Sequence, residues 1–321
     1  MDNKTKNDKI SLITPLKMFL EQKSSEKAAI RVPATITNIG PGIEAIGVAL
    51  KLYNYLEIEI ISNGFELFRT GNKVDIPFNK NTIFRSMQAV FQTYKYKCTG
   101  FRINLAKSDI PISRGIGGNA SYIVGGVLAA NWIMGDVMSE KEIIKLCVEL
   151  GGHNNAIPAL AGGMTVAVNE GDDIVYSKVN ISDDLMFAVI VPGFKVDREN
   201  AISALPSMYS LKDCIHNISR TALLISAMEN NDHEKIRIAF SDKIYEPYTG
   251  KFIDNIKDIF KICRSHGSLG EFISGYGSSL IAIIDKSQSS FEKEVSERIS
   301  IFPGEWRLKV VEADMKGAIF I

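Results

Sequence analysis

The segment at residues 111–121, PISRGIGGNAS, narrows the choice of fold more than any other: a glycine-rich loop follows an extended run, FRINLA, and opens an apolar stretch, SYIVGGVLAANWI. A strand that turns through glycines into a helix gathers backbone N–H groups and the positive end of the helix dipole at one point, a geometry that receives a phosphate. Glycine suits such a loop because a side chain would hold the backbone away from phosphate oxygens, and because some positions require positive φ. Three of the four positions from 115 to 118 are glycine. The run reads equally as a tight strand-to-helix turn, and on this segment alone both readings stay open. Its spacing fits neither G-x-G-x-x-G nor G-x-x-x-x-G-K-[ST], and no lysine follows at the helix start, which argues against a Walker-type loop.

Around this loop the chain reads as α+β rather than as a regular βαβ repeat. Strands are expected in AIRVPATITNIG, in the alternating second half of IEAIGVALKLYNYLEIEIIS, in FRINLA, in a hairpin over MTVAVNEGDDIVYSKV, and in MFAVIVPGF, SLIAIID and EWRLKVVEA. Helical periodicity marks TIFRSMQAVFQTY, SEKEIIKLCVEL with Ser139 as its N-cap, and the stretches 211–227 and 252–263. With 321 residues, 45% of them hydrophobic, the chain can bury a sizeable core, and two domains are expected with a boundary near 180–187. Residues 1–27 read as a polar, poorly ordered leader carrying a short helix near 15–22 and lacking a signal peptide.

Lysine plus arginine and aspartate plus glutamate both number 37, so no global field favours nucleic acid or an anionic membrane. The apolar stretches are too short or too broken to span a bilayer, and a cytoplasmic location is expected. Cys98, Cys147, Cys214 and Cys263 are dispersed, which reads as buried free thiols.

Four segments, in order, resemble the motifs of the kinase superfamily that comprises galactokinase, homoserine kinase, mevalonate kinase and phosphomevalonate kinase (GHMP), and homoserine kinases in particular. VPATITNIGPGIEAIGVAL is similar to V-P-A-[ST]-x-A-N-L-G-P-G-F-D-x-[IL]-G-L-A-L, and PISRGIGGNAS to the phosphate loop P-[LI]-x-R-G-L-G-S-S-A-[AS]. VELGGHNNAIPALAGGMTVAV is similar to E-L-E-G-H-P-D-N-V-A-P-A-x-x-G-G-x-x-[LV]-A, and SGYGSSLIAII to S-G-[AS]-G-P-[ST]-x-x-A. The resemblance implies a ribosomal-S5-like N-terminal domain over residues 28–183 and a ferredoxin-like C-terminal domain over 184–321. It implies ATP and Mg²⁺ as cofactors, a small hydroxylated metabolite as acceptor, and a homodimer as the family's usual state.

Carried onto this chain, the resemblance assigns Pro111, Arg114, Gly115, Gly117, Gly118, Asn119, Ala120 and Ser121 to the phosphates, and Asn81 to the neighbourhood of the adenine. Glu149 matches the magnesium-binding glutamate, with Asn119 standing where a serine usually completes the metal shell; an asparagine carbonyl is a suitable oxygen ligand. Asn38, Glu44, His153, Asn154 and Asn155 match acceptor-binding positions, with Asn155 nearest the phosphate-accepting hydroxyl. Arg114, Glu149 and Asn155 are the residues expected to act on the reacting groups.

Departures from the pattern concentrate on the acceptor. Gly118 and Asn119 replace the serine pair, Asn154 stands for an aspartate, and Glu44 is one methylene longer than the family's aspartate. Two arginines that hold the amino-acid carboxylate in homoserine kinases align with Ile202 and Thr249, and loss of such a buried charge partner costs about 2–5 kcal/mol of binding. Arg198, four residues before Ile202 and so one helical turn away, is a candidate replacement, as is Lys251. Two functions follow: an ATP-dependent kinase of homoserine or a related hydroxylated metabolite with an altered acceptor pocket, or a nucleotide- or metabolite-binding homologue without turnover, acting as sensor or partner.

Overall fold

A computed structural model describes residues 26–321; the body of the polar leader and its short helix lie outside the described residues. The chain begins with two long antiparallel strands, β1 (Lys27–Ile39) and β2 (Gly42–Ile60), continues through β3 (Gly64–Arg69), β4 (Asn72–Lys73) and α1 (Thr82–Thr93), and reaches β5 (Gly100–Ser108). The glycine loop then leads into α2 (Gly118–Ile133), as its setting in the sequence requires. α3 (Glu140–Cys147) opens with a full capping box between Ser139 and Glu142. α4 (Ala156–Ala161) and the hairpin β6 (Met164–Glu170) and β7 (Asp173–Val179) complete this half.

The remaining elements are β8 (Leu185–Val191), α5 (Arg198–Ser203), α6 (Leu211–Glu229), α7 (His233–Ala239), α8 (Glu246–Thr249), α9 (Ile256–Ser265), β9 (Gly270–Ile273), β10 (Leu280–Asp285), α10 (Phe291–Ile299), β11 (Arg307–Glu312) and β12 (Ile319–Phe320). β8 to β11 build a four-stranded antiparallel sheet in the order β11-β8-β10-β9. The first sheet runs β12-β1-β2-β5-β3-β4, with β6 and β7 joined to β2. β12 pairs with β1, so the last residues return to the first sheet.

β2 holds two partners along one edge: residues 46–48 pair with β6 and residues 54–60 with β5. Its second half covers a core of α1 and α2, including Leu56, Ile58, Ile83, Met87, Val124 and Val127. Its first half packs with the second sheet, where Ile36, Val48, Phe187, Phe272 and Ile281 share one core. Alternate residues of the second sheet, Ala188, Ile190, Ala282 and Ile284, face a third core under α9 and α10. α2 is apolar and buried around nearly its whole circumference, the pattern of a central helix. The molecule is thus a two-part α+β fold in which the glycine loop lies at the junction of the parts. All four cysteines are free thiols as expected, but only Cys147 and Cys263 are buried; Cys98 and Cys214 are half-buried.

Candidate functional site

Three loops meet at the start of α2. Within the first, Gly115 and Gly117 adopt φ of 82° and 73°, left-handed conformations that L side chains rarely enter. A Cβ on Gly115 would overlap the Ser274 carbonyl and lie 3.0 Å from that of Gly277; one on Gly117 would overlap Thr35 Oγ1 and lie 2.9 Å from the Thr35 amide. The loop is therefore wedged between β1 and the glycine-rich segment 274–279. Ser274 Oγ donates to the Gly115 carbonyl at 2.6 Å, Ser279 N to the Arg114 carbonyl at 2.9 Å, and Gly275 N to the Thr37 carbonyl at 3.0 Å.

Helix geometry leaves the first N–H groups of α2, those of Gly118, Asn119 and Ala120, without intrahelical partners, while Ser121 N already bonds the Gly117 carbonyl. Asn119 is exposed, and its amide oxygen accepts from Thr82 Oγ1 at 3.1 Å. Ala120 is buried. Pro111 closes the loop's base, its carbonyl behind Gly118. Ser121, placed by the motif among the phosphate contacts, is instead fully buried: Asn54 Nδ2 donates to its hydroxyl at 2.7 Å, and that hydroxyl donates to the Gly118 carbonyl at 2.8 Å. It shapes the loop from beneath. Arg114 is likewise turned to the protein, donating from Nε and Nη2 to the carbonyls of Pro192 at 3.1 Å and Gly193 at 2.8 Å. Its guanidinium ties the loop to the end of β8. Asn81 caps α1, accepting from Phe84 N at 3.1 Å.

The third loop, residues 148–155, runs from a widened helical turn into α4 and packs along α2. Glu149 is exposed, with Lys145 Nζ at 4.0 Å. Asn155 Oδ1 accepts from Thr35 Oγ1 at 3.0 Å and from Thr37 Oγ1 at 3.4 Å. Both threonines are buried on one face of β1, so the amide oxygen is fixed and the Asn155 Nδ2 group is left to donate elsewhere. Thr35 thus touches the glycine loop at Gly117 and the 148–155 loop at Asn155.

Around Asn155 lies a charged cluster. Glu44 N donates to Asn38 Oδ1 at 3.0 Å, and Asn38 Nδ2 to the Gly275 carbonyl at 2.9 Å. Asn154 Nδ2 donates to the Glu44 carbonyl and lies 3.5 Å from Glu44 Oε2. Tyr276 Oη donates to Glu44 Oε1 at 2.7 Å, and the Arg198 guanidinium lies over the Tyr276 ring, 4.8 Å from its centre. Half-burial lowers the His153 pKa, the Arg198 cation lowers it further, and the Glu44 carboxylate opposes both. Asn38, Glu44 and His153 hold φ of 60°, 55° and 46°, uncommon for residues with side chains, and such strain gathers where a structure fixes a ligand.

The aligned arginine positions differ from one another. Ile202 is 41% exposed on α5, whereas Thr249 is 2% exposed and donates to the Tyr245 carbonyl at 3.0 Å. Arg198 begins α5 and reaches the cluster; Lys251 instead lies beside the Phe252 ring. Sequence reasoning missed Thr35, Thr37 and Tyr276. The threonines were legible as two hydroxyls two apart on a strand, hence on one face, and Tyr276 as a large side chain where the motif carries a small one.

A glycine loop of this build at the head of a buried helix, facing a polar cluster at the junction of two α+β parts, is an arrangement suited to a small-molecule kinase. The sequence pattern described as GHMP kinases N terminal domain matches residues 81–163, and that described as GHMP kinases C terminal matches 224–299. A homoserine kinase of Clostridium novyi is 43% identical over 91% of this chain and 98% of its own length. One from Clostridium kluyveri is 40% identical over 91% and 97%. The crystal structure of homoserine kinase from Cytophaga hutchinsonii superposes with a TM-score of 0.83 at 22% identity, covering 94% of this chain and 99% of that one. The chain belongs to the GHMP kinases, in their homoserine kinase-like group.

Proposed function

We propose that this chain transfers the γ-phosphate of ATP to the side-chain hydroxyl of homoserine or a close relative. The observation that carries the reading is Thr35, which packs against Gly117 of the phosphate loop and holds Asn155 of the acceptor loop by a hydrogen bond of 3.0 Å. Donor and acceptor sites are thereby set a side chain apart, and phosphoryl transfer depends chiefly on such placement.

The residues present fit ATP and Mg²⁺. Free N–H groups at the start of a 16-residue helix, with glycines where a Cβ would collide, suit a triphosphate. Among the described residues no group of three His, Cys, Asp or Glu could cage a metal. That suits Mg²⁺, which takes one or two protein oxygens and completes its shell with phosphates and water; Glu149 and the Asn119 carbonyl are the candidates. When bound, ATP with its ion supplies the transferable phosphoryl group and screens its charge.

The chain's own residues do the rest. Asn155 Nδ2 donates to the acceptor oxygen and orients it, with its amide locked by Thr35 and Thr37. Glu44 faces the acceptor ammonium and Arg198 its carboxylate, the latter in place of the arginines absent at 202 and 249. Arg114 anchors the loop, and His153, kept neutral by burial and by Arg198, lends the pocket a polar edge without an added charge. The test is steady-state ADP formation from ATP and Mg²⁺: homoserine should stimulate it at least about a hundredfold over buffer. Nucleotide-dependent thermal stabilisation without turnover on homoserine or any hydroxylated acceptor would favour the non-catalytic homologue.

A further inference from the structure

The segment SGYGSS carries a tyrosine at the position where the related motif has alanine or serine. Tyr276 is half-buried and well braced. Its ring meets that of Tyr245 edge-on, centres 6.2 Å apart, and Tyr245 Oη donates to the Gly275 carbonyl at 2.6 Å. Two charged side chains rest on it: Glu44 through the hydroxyl at 2.7 Å and Arg198 over the ring at 4.8 Å. Burial, then the Glu44 carboxylate, raise the Tyr276 pKa against the smaller opposing pull of Arg198, which also reaches the hydroxyl, so the hydroxyl stays a donor at neutral pH. No carboxylate among the described residues forms an ion pair with Arg198, which leaves its guanidinium available to an anionic group.

We propose that Tyr276 is a positioning residue that sets acceptor specificity, fixing Glu44 through its hydroxyl and seating Arg198 against its ring. The two charges are thus both held against one side chain, matching an ammonium and a carboxylate on a single carbon. A small residue at 276 would leave Arg198, exposed at the start of α5, without a platform, and Glu44 without its donor. The tyrosine therefore takes over, through Arg198, part of the work of the arginine pair missing at Ile202 and Thr249. This inference rests on the acceptor reading above.

Three acceptors separate the two contacts: homoserine, 3-aminopropan-1-ol, which lacks the carboxylate, and 4-hydroxybutyrate, which lacks the ammonium. Tyr276→Phe keeps the ring and loses the hydroxyl. It should raise KM for homoserine and the amino alcohol about three- to tenfold and affect 4-hydroxybutyrate less, because the ring that seats Arg198 remains. Tyr276→Ala should raise KM for homoserine and for 4-hydroxybutyrate about tenfold or more, with kcat and the KM for ATP within about twofold. Calorimetric binding of homoserine and of ATP to the same proteins keeps the question apart from turnover. If the wild type binds both without phosphorylating homoserine, the kinase reading fails while a tenfold weaker homoserine Kd in Tyr276→Ala still upholds this role. The proposal is overturned if either variant alters all three acceptors and ATP alike, if homoserine affinity stays within twofold in both variants, or if the wild type binds no homoserine. Should Tyr276→Ala not fold, the selectivity pattern of Tyr276→Phe decides.

Discussion

Replacing Gly117 by alanine probes the contact on which the proposed geometry turns. The residue sits at φ 73°, where an alanine costs about 1 kcal/mol or slightly more. The added Cβ would also overlap Thr35 Oγ1 and lie 2.9 Å from Thr35 N, so strand β1 or the loop must move, an overpacking cost of roughly 1–3 kcal/mol. Stability should fall by about 2–4 kcal/mol in urea unfolding. Because Thr35 also holds Asn155, a shift approaching 1 Å should lower kcat about a hundredfold. Gly171 provides the control: it lies in the turn between β6 and β7 at φ 59°, with nothing within 4 Å of an added Cβ. Gly171→Ala should cost about 1 kcal/mol and leave activity unchanged. Equal stability and equal kcat in the two variants would refute the reasoning, since they differ mainly in the collision with Thr35.

Further outcomes follow from other contacts. Asn155→Ala should lower kcat about a hundredfold with ATP affinity by calorimetry within twofold, since the loop glycines and α2 are untouched. Ile202→Arg, at an exposed position, should fold normally and lower the KM for homoserine in steady-state assays, while Thr249→Arg, at a site 2% exposed, should lose several kcal/mol in urea unfolding. The Glu246 carboxyl is pushed up to about 7 by burial first and then by the Asp242 and Glu271 carboxylates. A raised folded pKa means that this group's contribution is complete below the unfolded value near 4.5 and is lost as pH rises through 7, so Glu246→Gln should gain over the wild type by on the order of 1–2 kcal/mol at pH 8 and gain little at pH 4.5 in denaturant titrations. Ser139→Ala removes the capping box of α3 and should cost about 1 kcal/mol without changing activity.

Sequence and structure agree most closely where local chemistry decides. The turn into α2 was legible from glycines between an extended run and an apolar one, and the start of α3 from Ser139 with Glu142 three residues on. β3, β9 and α10 were not singled out. β9 has four residues, all buried, too few to show a period, and β3 is placed by a parallel pairing with β5 that no short-range pattern announces. Within the candidate site, motif matching singled out the glycine loop, Glu149, Asn155 and the cluster of Asn38, Glu44, His153 and Asn154, whose roles are proposals. It could not show that Arg114 is used on the carbonyls of Pro192 and Gly193 or that Ser121 points into the protein, because both depend on segments distant in sequence. The same holds for Thr249, whose near-complete burial no local pattern announces.

The most direct test is a crystal structure of the protein with a non-hydrolysable ATP analogue, Mg²⁺ and homoserine. The account predicts the β- and γ-phosphates on the amides at the start of α2, the acceptor hydroxyl within about 3.5 Å of the γ-phosphorus and touching Asn155 Nδ2, and the homoserine carboxylate on Arg198 beside Tyr276. A triphosphate bound away from residues 115–120, or a hydroxyl turned away from Asn155, would contradict it.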